Sequence, residues 1–320
     1  MSAKLKPTPV TYLIIVVVFL LVIVGELVLI YAMNKPKVIS LLPATGLAFL
    51  ADPTYTPTVT PTFTDTPTPT PTPTPDNNNF DSAYDYPVTA QGKGTVRIPV
   101  LTYHHINALP KSITDRPYFV TPEMFDRQMA YLKEKNYRSL SMQEYFDQLK
   151  SGKNPTQKSV LITFDDSDAD QYKYGFPTLQ KYGFIGTFAI ISAKSGITPA
   201  QLREMSAAGM DIASHSKYHE DLAKLDDDGV LNDEIANSRY DLQARTGEPV
   251  IAIIYPGCTA DGQAIGHVKA AGYSLGFTCG KSIDNRFSQR YILNRMHVYS
   301  NFENFKQRLS GIWIVTNDYE

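Results

Sequence analysis

Cysteine and tryptophan are nearly absent from this 320-residue chain, which has two cysteines, Cys258 and Cys279, and one tryptophan, Trp313. One disulfide is the most it can form. Each cysteine follows the end of one of two consecutive expected strands, so the pair is expected either to bridge or to remain as two buried thiols. An excess of basic residues is missing too. Thirty Lys and Arg face 32 Asp and Glu, for a net charge of −2. With no basic stripe in view, this argues against a nucleic-acid partner. The H-E-x-x-H pattern is also lacking, because Ser216 and not Glu follows His215, and that excludes a zincin.

What is present begins with a hydrophobic run, Tyr12 to Met33, of 22 residues with one charge, Glu26. At about 1.5 Å per residue it spans about 33 Å, enough for a bilayer. The reading is a single-pass signal anchor with residues 1–11 in the cytoplasm and the rest of the chain extracytoplasmic; Lys4 and Lys6 favour it, and Lys35 and Lys37 pull the other way. Secretion after signal-peptide cleavage is the rival, although a cleaved core is usually only about 7–15 residues long. Residues 34–94 read as a linker. Within it, Pro53 to Pro75 holds 8 Pro and 11 Thr in 23 residues and no Lys or Arg. Such a stretch favours extended polyproline II and reaches about 70 Å at about 3.1 Å per residue.

Residues 95–320 are long enough for one α/β domain with a large core. Apolar strands alternate with helical patterns. Strands are expected at Ile98–Tyr103, Val160–Phe164, Ile185–Ile191, Asp211–Ser214, Val250–Tyr255 and Tyr273–Thr278. Helices are expected at Pro122–Asn136, from the Ser141-x-x-Glu144 capping box to Lys150, and at Tyr172–Tyr182, Pro199–Ala208, Val230–Thr246 and Gln263–Ala271. Repeated βα units imply a parallel sheet, with functional residues at the carboxyl ends of its strands.

Two motifs fall at such ends. Thr163-Phe164-Asp165-Asp166 closes the second strand, and His215-Ser216-Lys217-Tyr218-His219 follows the fourth. Alone, an Asp-Asp pair reads as a helix cap or solvated turn, and H-x-x-x-H as surface decoration. Together they offer one carboxylate and two imidazoles for a divalent cation, with a second carboxylate left as a base; this suits metal-assisted hydrolysis. The two histidines are expected to share one face of a helical turn. The O/N/N set suits Zn²⁺, Co²⁺, Mn²⁺ or Fe²⁺.

In these motifs and their order, the chain resembles the polysaccharide deacetylases with a NodB-type domain, carbohydrate esterase family 4, from about Ile98 to about Tyr299. Pro99 to His105 and Val120 to Met129 resemble the entry to the poly-N-acetylglucosamine deacetylase subgroup. The resemblance implies a distorted (β/α)7-type barrel acting on an N-acetylated polysaccharide, exopolysaccharide or peptidoglycan, and releasing acetate. It implies Asp165 as catalytic base and Asp166, His215 and His219 as ligands of a divalent metal, Zn foremost, with Co, Mn, Fe or Ni as alternatives. The Gly257 N–H becomes the oxyanion donor, with Tyr255 and His105 beside it on the substrate side.

The chain departs from the pattern in several places, among them the lost second aromatic of the third motif, where Gly257 stands, and a Trp-bearing fourth motif that is not visible. Ser167 stands where the family usually has Gly. Ile254 stands where an Arg often orients the catalytic Asp. Arg295, in Leu293-Asn294-Arg295-Met296-His297, occupies the position of the late catalytic His. Leu293, Arg295 and His297 share one face of a strand, so His297 is the expected general acid, one step further along, with His105 as the alternative. A degenerate, non-catalytic glycan-binding module that keeps its metal is the competing reading.

Overall fold

Short runs rich in valine, isoleucine and leucine build the centre of the molecule. The computed structural model describes residues 94–194 and 196–312. In chain order the strands are β1 (Thr95–Arg97), β2 (Val100–Tyr103), β3 (His105–Ile106), β4 (Phe119–Val120), β5 (Arg138–Ser139), β6 (Ser159–Phe164), β7 (Thr187–Ile190), β8 (Asp211–Ser214), β9 (Ala252–Ile254), β10 (Leu275–Phe277), β11 (Asp284–Arg286) and β12 (Met296–His297). Seven follow one path in the order β10-β9-β8-β7-β6-β2-β12, and β5 pairs with the start of β6. Every pairing in this sheet is parallel.

The sheet curls, and one short segment holds both its edges. Leu293 bridges to Phe277 of β10, and the Arg295 carbonyl accepts from the Gly280 N–H. Immediately afterwards Met296 and His297 pair with Leu101 and Thr102 of β2.

Side chains alternate across this sheet, as a period of two requires. Val100, Leu161, Ala189, Ala213, Ala252, Phe277 and Leu293 share one apolar cluster, joined by Met142, Tyr145 and Leu149 of the helix Met142–Ser151. Leu101, Tyr103, Ile162, Phe164, Phe188 and Ile253 belong to the other cluster, with residues of the outer helices. Three alanines in the first cluster make room for the larger Tyr145 and Phe277. The polar groups Thr163, Asp165, His215 and Arg295 continue that face and are buried.

Most helices start where the sequence reading places them. Ser141 and Glu144 form both bonds of the capping box, and Thr121 caps Pro122–Glu134 by accepting from the Met124 N–H. Two expected helices differ. Tyr172–Tyr182 is a π-turn, Gln171–Gly175, followed by an α-helix, Phe176–Tyr182. The helical run from Asp228 to Thr246 carries a π-turn at Asp233–Asn237. Hydrophobic spacing cannot register a one-residue insertion of this kind. The helix Phe302–Ser310 and the small pairs β1–β11 and β3–β4 were not among the sequence expectations.

Among the described residues no helix is long and apolar enough to cross a membrane. The expected anchor, residues 12–33, the linker as far as residue 93, and Trp313 lie outside them.

Candidate active site

Strand alternation brings Arg295, 130 residues away in sequence, onto Asp165. Thr163, Asp165 and Arg295 all project toward the interior. Arg295 Nη1 and Nη2 donate to Asp165 Oδ1 and Oδ2 at 2.7 and 2.8 Å. Nη1 also donates to Thr163 Oγ1, and Nε donates to the Thr278 carbonyl. Arg295 is 1 % exposed and Asp165 is 3 % exposed. Burial alone would raise the Asp165 carboxyl, but Arg295, with His215 and His104 nearby, brings it below its ordinary value. The arginine missing at Ile254 is therefore supplied by Arg295 from a different strand.

The next residue turns away. β6 ends at Phe164, and Asp166 and Ser167 both adopt left-handed backbone, φ 75° and 60°. This left-handed requirement explains why Gly is usual at the latter position. Ser167 tolerates it, and its Oγ accepts from the buried Ile191 N–H at 2.7 Å. Asp166 Oδ1 then lies 3.4 Å from His215 Nε2 and 3.3 Å from His219 Nε2.

The histidines do not reach this point on a helix, as the sequence spacing suggested. Residues 215–219 form an irregular turn with φ of 60° at Ser216 and 68° at His219. Of six non-glycine residues with positive φ among those described, five are Asp166, Ser167, Ser216, His219 and Cys258, all at this site. Such conformations cost about 1–3 kcal/mol each and persist only where their surroundings enforce them.

These three side chains fit a divalent ion. One ligand atom from each lies within 4.8 Å of the others. Two ligands of a tetrahedral ion bonded at about 2.0–2.1 Å are about 3.3–3.4 Å apart, which matches both Asp166–His separations. His215 Nδ1 lies 2.7 Å from the Ile254 carbonyl. A carbonyl only accepts, so Nδ1 carries the hydrogen and the Nε2 lone pair faces Asp166.

The site lies on one side of a cleft of about 680 Å³, whose other walls include His104, His105, Tyr118, Gly257 and His297. Gly257 has φ 64° in a Pro–Gly turn closed by the Cys258 N–H donating to the Tyr255 carbonyl. The Gly257 N–H is not used in closing that turn. A disulfide, Cys258–Cys279, with Cα atoms 5.1 Å apart, ties the turn to the loop after β10. Tyr255 lines this cleft, although its side chain is buried and its hydroxyl has no partner among the described residues.

The histidines of the far wall also sort themselves. His297 Nε2 donates to the Pro117 carbonyl at 2.8 Å. Burial, aided by neighbouring His104, pushes its imidazole down to about 3. His297 is thus neutral, with its proton engaged by the backbone. His104 stacks on it with ring centroids 4.8 Å apart, and His104 Nε2 lies 4.0 Å from Asp165 Oδ2. His105 points the other way along the strand, stacks on Phe119, and contacts Asp168 and Asp170 through Nδ1. Gln171 fixes both strand ends, donating to the His104 carbonyl and to the Asp165 carbonyl.

The sequence reading passed over His104 and the partnership of Arg295 with Asp165. The signal was the alternation of Val100 and Thr102 on β2, continued by His104 just after it, which puts two polar residues on the inward face beside Asp165.

The family model for polysaccharide deacetylase matches residues 152–276, a span that contains Asp165, Asp166, His215, His219 and Gly257. Within that span the chain carries a polysaccharide deacetylase domain. It is 29 % identical over 206 residues to YxkH of Bacillus subtilis (strain 168), which is classed with the polysaccharide deacetylases; the match covers 63 % of this chain and 71 % of that one. It is 26 % identical over 213 residues to the poly-beta-1,6-N-acetyl-D-glucosamine N-deacetylase of Staphylococcus aureus (strain N315), covering 61 % and 73 %. Among solved structures it superposes on the Streptococcus pyogenes deacetylase PplD in complex with acetate. The TM-score is 0.62, with 29 % identity over 66 % of this chain and 97 % of that one. The buried Asp165 and the Asp166, His215 and His219 set thus lie within the matched span, whereas Arg295 lies outside it.

Proposed function

We propose that the chain is a metal-dependent N-deacetylase of N-acetylglucosamine-containing glycan. The observation that carries this reading is Asp165, clamped by Arg295 and placed beside Asp166, His215 and His219 at the wall of an open cleft. A non-catalytic binding module has no need of a buried charged pair next to its metal ligands. The name of the S. aureus relative supports the same substrate class, and that of the B. subtilis relative supports a polysaccharide.

Asp166, His215 and His219 hold the divalent ion, Zn²⁺ foremost; when bound it supplies a Lewis acid for water and for the amide carbonyl. Asp165 accepts the proton as the water oxygen bonds to the acetyl carbon. The Gly257 N–H donates to the developing oxyanion. The carbon–nitrogen bond then breaks, and the proton taken up by Asp165 is passed by way of His104, whose Nε2 lies 4.0 Å from Asp165 Oδ2, to the departing nitrogen, giving acetic acid and the free amine. His104 is preferred to His297 because the Nε2–H of His297 is engaged by the Pro117 carbonyl. His105 and Tyr118 form the rim that meets the polymer.

The proposal extends to location. The apolar run 12–33 anchors the chain in the cell membrane, and the Pro/Thr-rich linker carries the domain outward into wall or matrix. The Cys258–Cys279 disulfide suits an oxidising compartment. Acetate release by the full chain from N-acetylglucosamine oligomers tests the activity, with chelator and then with Zn²⁺ or Co²⁺ restored. Metal-dependent release is expected. One tightly bound ion with no release, from these oligomers or from peptidoglycan fragments, overturns the catalytic reading in favour of binding alone.

A further inference from the structure

Between His215 and His219 the backbone carries two N–H groups, those of Lys217 and Tyr218, that no strand or helix uses. Both donate to the same atom, Glu234 Oε2, at 3.0 Å each. Glu234 is 2 % exposed, so this acceptor is fixed by its surroundings and has little contact with water. It sits in the π-turn Asp233–Asn237, which interrupts the helical run from Asp228 to Thr246. Four residues on, Ser238 Oγ donates to the Ser216 carbonyl and meets Ser214 Oγ at 2.8 Å. One residue before, Asp233 pairs with Lys217 Nζ at 2.7 Å. One turn of helix therefore grips the backbone on both sides of Ser216 and Tyr218. The gripped segment is the one with left-handed φ at Ser216 and His219, a shape the chain does not adopt unaided.

We infer that Glu234 is a positioning residue that presets the histidine turn for the metal, acting through the backbone and touching neither ion nor substrate. The inference rests on the reading of Asp166, His215 and His219 as ligands. The π-turn is part of the device. It adds one residue to the helix and so aligns Glu234 and Ser238 on the side facing the turn, and insertions of this kind gather at functional sites. Groups that orient ligands from behind commonly change metal affinity by about 10–100-fold when removed.

The test uses the full chain and reads metal binding without turnover. Zn²⁺ affinity is measured by competition with a chromophoric chelator, and ligand geometry by the visible absorption of the Co²⁺ form. Glu234→Ala removes the acceptor, Glu234→Asp retracts it by one methylene while keeping the carboxyl, and Glu234→Gln keeps an oxygen at the same reach. The expected pattern is weaker Zn²⁺ binding by about 10–100-fold and an altered Co²⁺ spectrum for the Ala and Asp variants, with Gln close to the parent. Ala and Asp variants that bind and absorb like the parent overturn the inference. So does a Gln variant as weak as Asp, which would trace the effect to charge. If Glu234→Ala does not fold, the Asp and Gln pair decides. His215→Ala is the separate control: loss of binding there with normal binding in the Glu234 variants sinks only the positioning role. If neither the parent nor His215→Ala binds the ion, the ligand reading itself fails.

Discussion

Arg295 meets Asp165 fork to fork, two nitrogens on two oxygens at 2.7 and 2.8 Å, across 130 residues of sequence. Each side chain is what makes the other tolerable inside the protein. An unpartnered buried charge is expensive, and breaking one half of such a pair costs about 3–5 kcal/mol. Arg295→Met is therefore expected to lower stability by about that amount and to abolish turnover. Asp165→Asn combined with Arg295→Met should recover much of the stability and none of the activity. Chemical denaturation of the single and double variants reads the coupling directly. Simple additivity would show that the pair is not the unit described.

Asp165→Asn alone separates chemistry from metal binding. Its neutral amide cannot take a proton, and loss of a general base typically costs about 10²–10⁴-fold. Bound zinc, measured by elemental analysis, should remain at the level of the parent because Asp166, His215 and His219 are untouched. Measurable turnover at the parent's rate would remove Asp165 from the mechanism.

His104 and His297 stack on each other, yet they should respond differently to substitution. His104→Gln is expected to slow amide hydrolysis by about 10²–10⁴-fold. The same variant should hydrolyse an activated aryl acetate nearly as well as the parent, since that leaving group departs without a proton. His297→Gln should affect both substrates alike and more weakly, through loss of the Pro117 contact. The reverse pattern would transfer the acid role to His297.

Asp211 gives a pH prediction remote from the chemistry. It starts β8, at the strand end opposite His215. Burial raises its carboxyl to about 6, Glu144 adds to this, and the hydrogen bond from the Met142 N–H opposes it. The folded state then binds the proton more tightly than the unfolded chain. The stability this brings is complete below about pH 4 and is lost as pH rises through about 6. Asn at this position keeps an oxygen for Met142 and has no charge to bury. Asp211→Asn should accordingly be more stable than the parent at pH 8, by up to about 2 kcal/mol, with the gap closing by about pH 4. Urea midpoints at the two pH values check both size and sign.

Reduction of Cys258–Cys279 releases the loop that carries Gly257. A crosslink closing a loop of this size is worth about 3 kcal/mol against unfolding. Cys258→Ser with Cys279→Ser, or treatment with a phosphine reductant, should lower both the melting temperature and kcat while zinc content holds. An unchanged kcat would mean that the Pro–Gly turn keeps its place without the crosslink.

The sequence disclosed the fold and the Asp165, Asp166, His215, His219 constellation because both are local. Strand periodicity, the Ser141 capping box and the two motifs each lie within a few residues. Arg295 and His104 were harder to see because their meaning depends on which strands become neighbours. Only the β6-β2-β12 adjacency sets both beside Asp165. The turn at His215 was misread as helical because spacing alone cannot distinguish a helix from a left-handed bend held in place by Glu234. Tyr255 lines the cleft, while alternation along β9 leaves its ring buried against the core.

The segment from Leu293 to His297 closes the curled sheet and also carries the guanidinium that steadies Asp165. During synthesis the strands bearing Asp165, Asp166, His215 and His219 emerge long before it. A chain that stops short of residue 293 contains every proposed ligand and the proposed base, but it has an open seam and an aspartate without its arginine. Competence arrives with the last strand, so the molecule withholds its chemistry until almost the whole domain has been made.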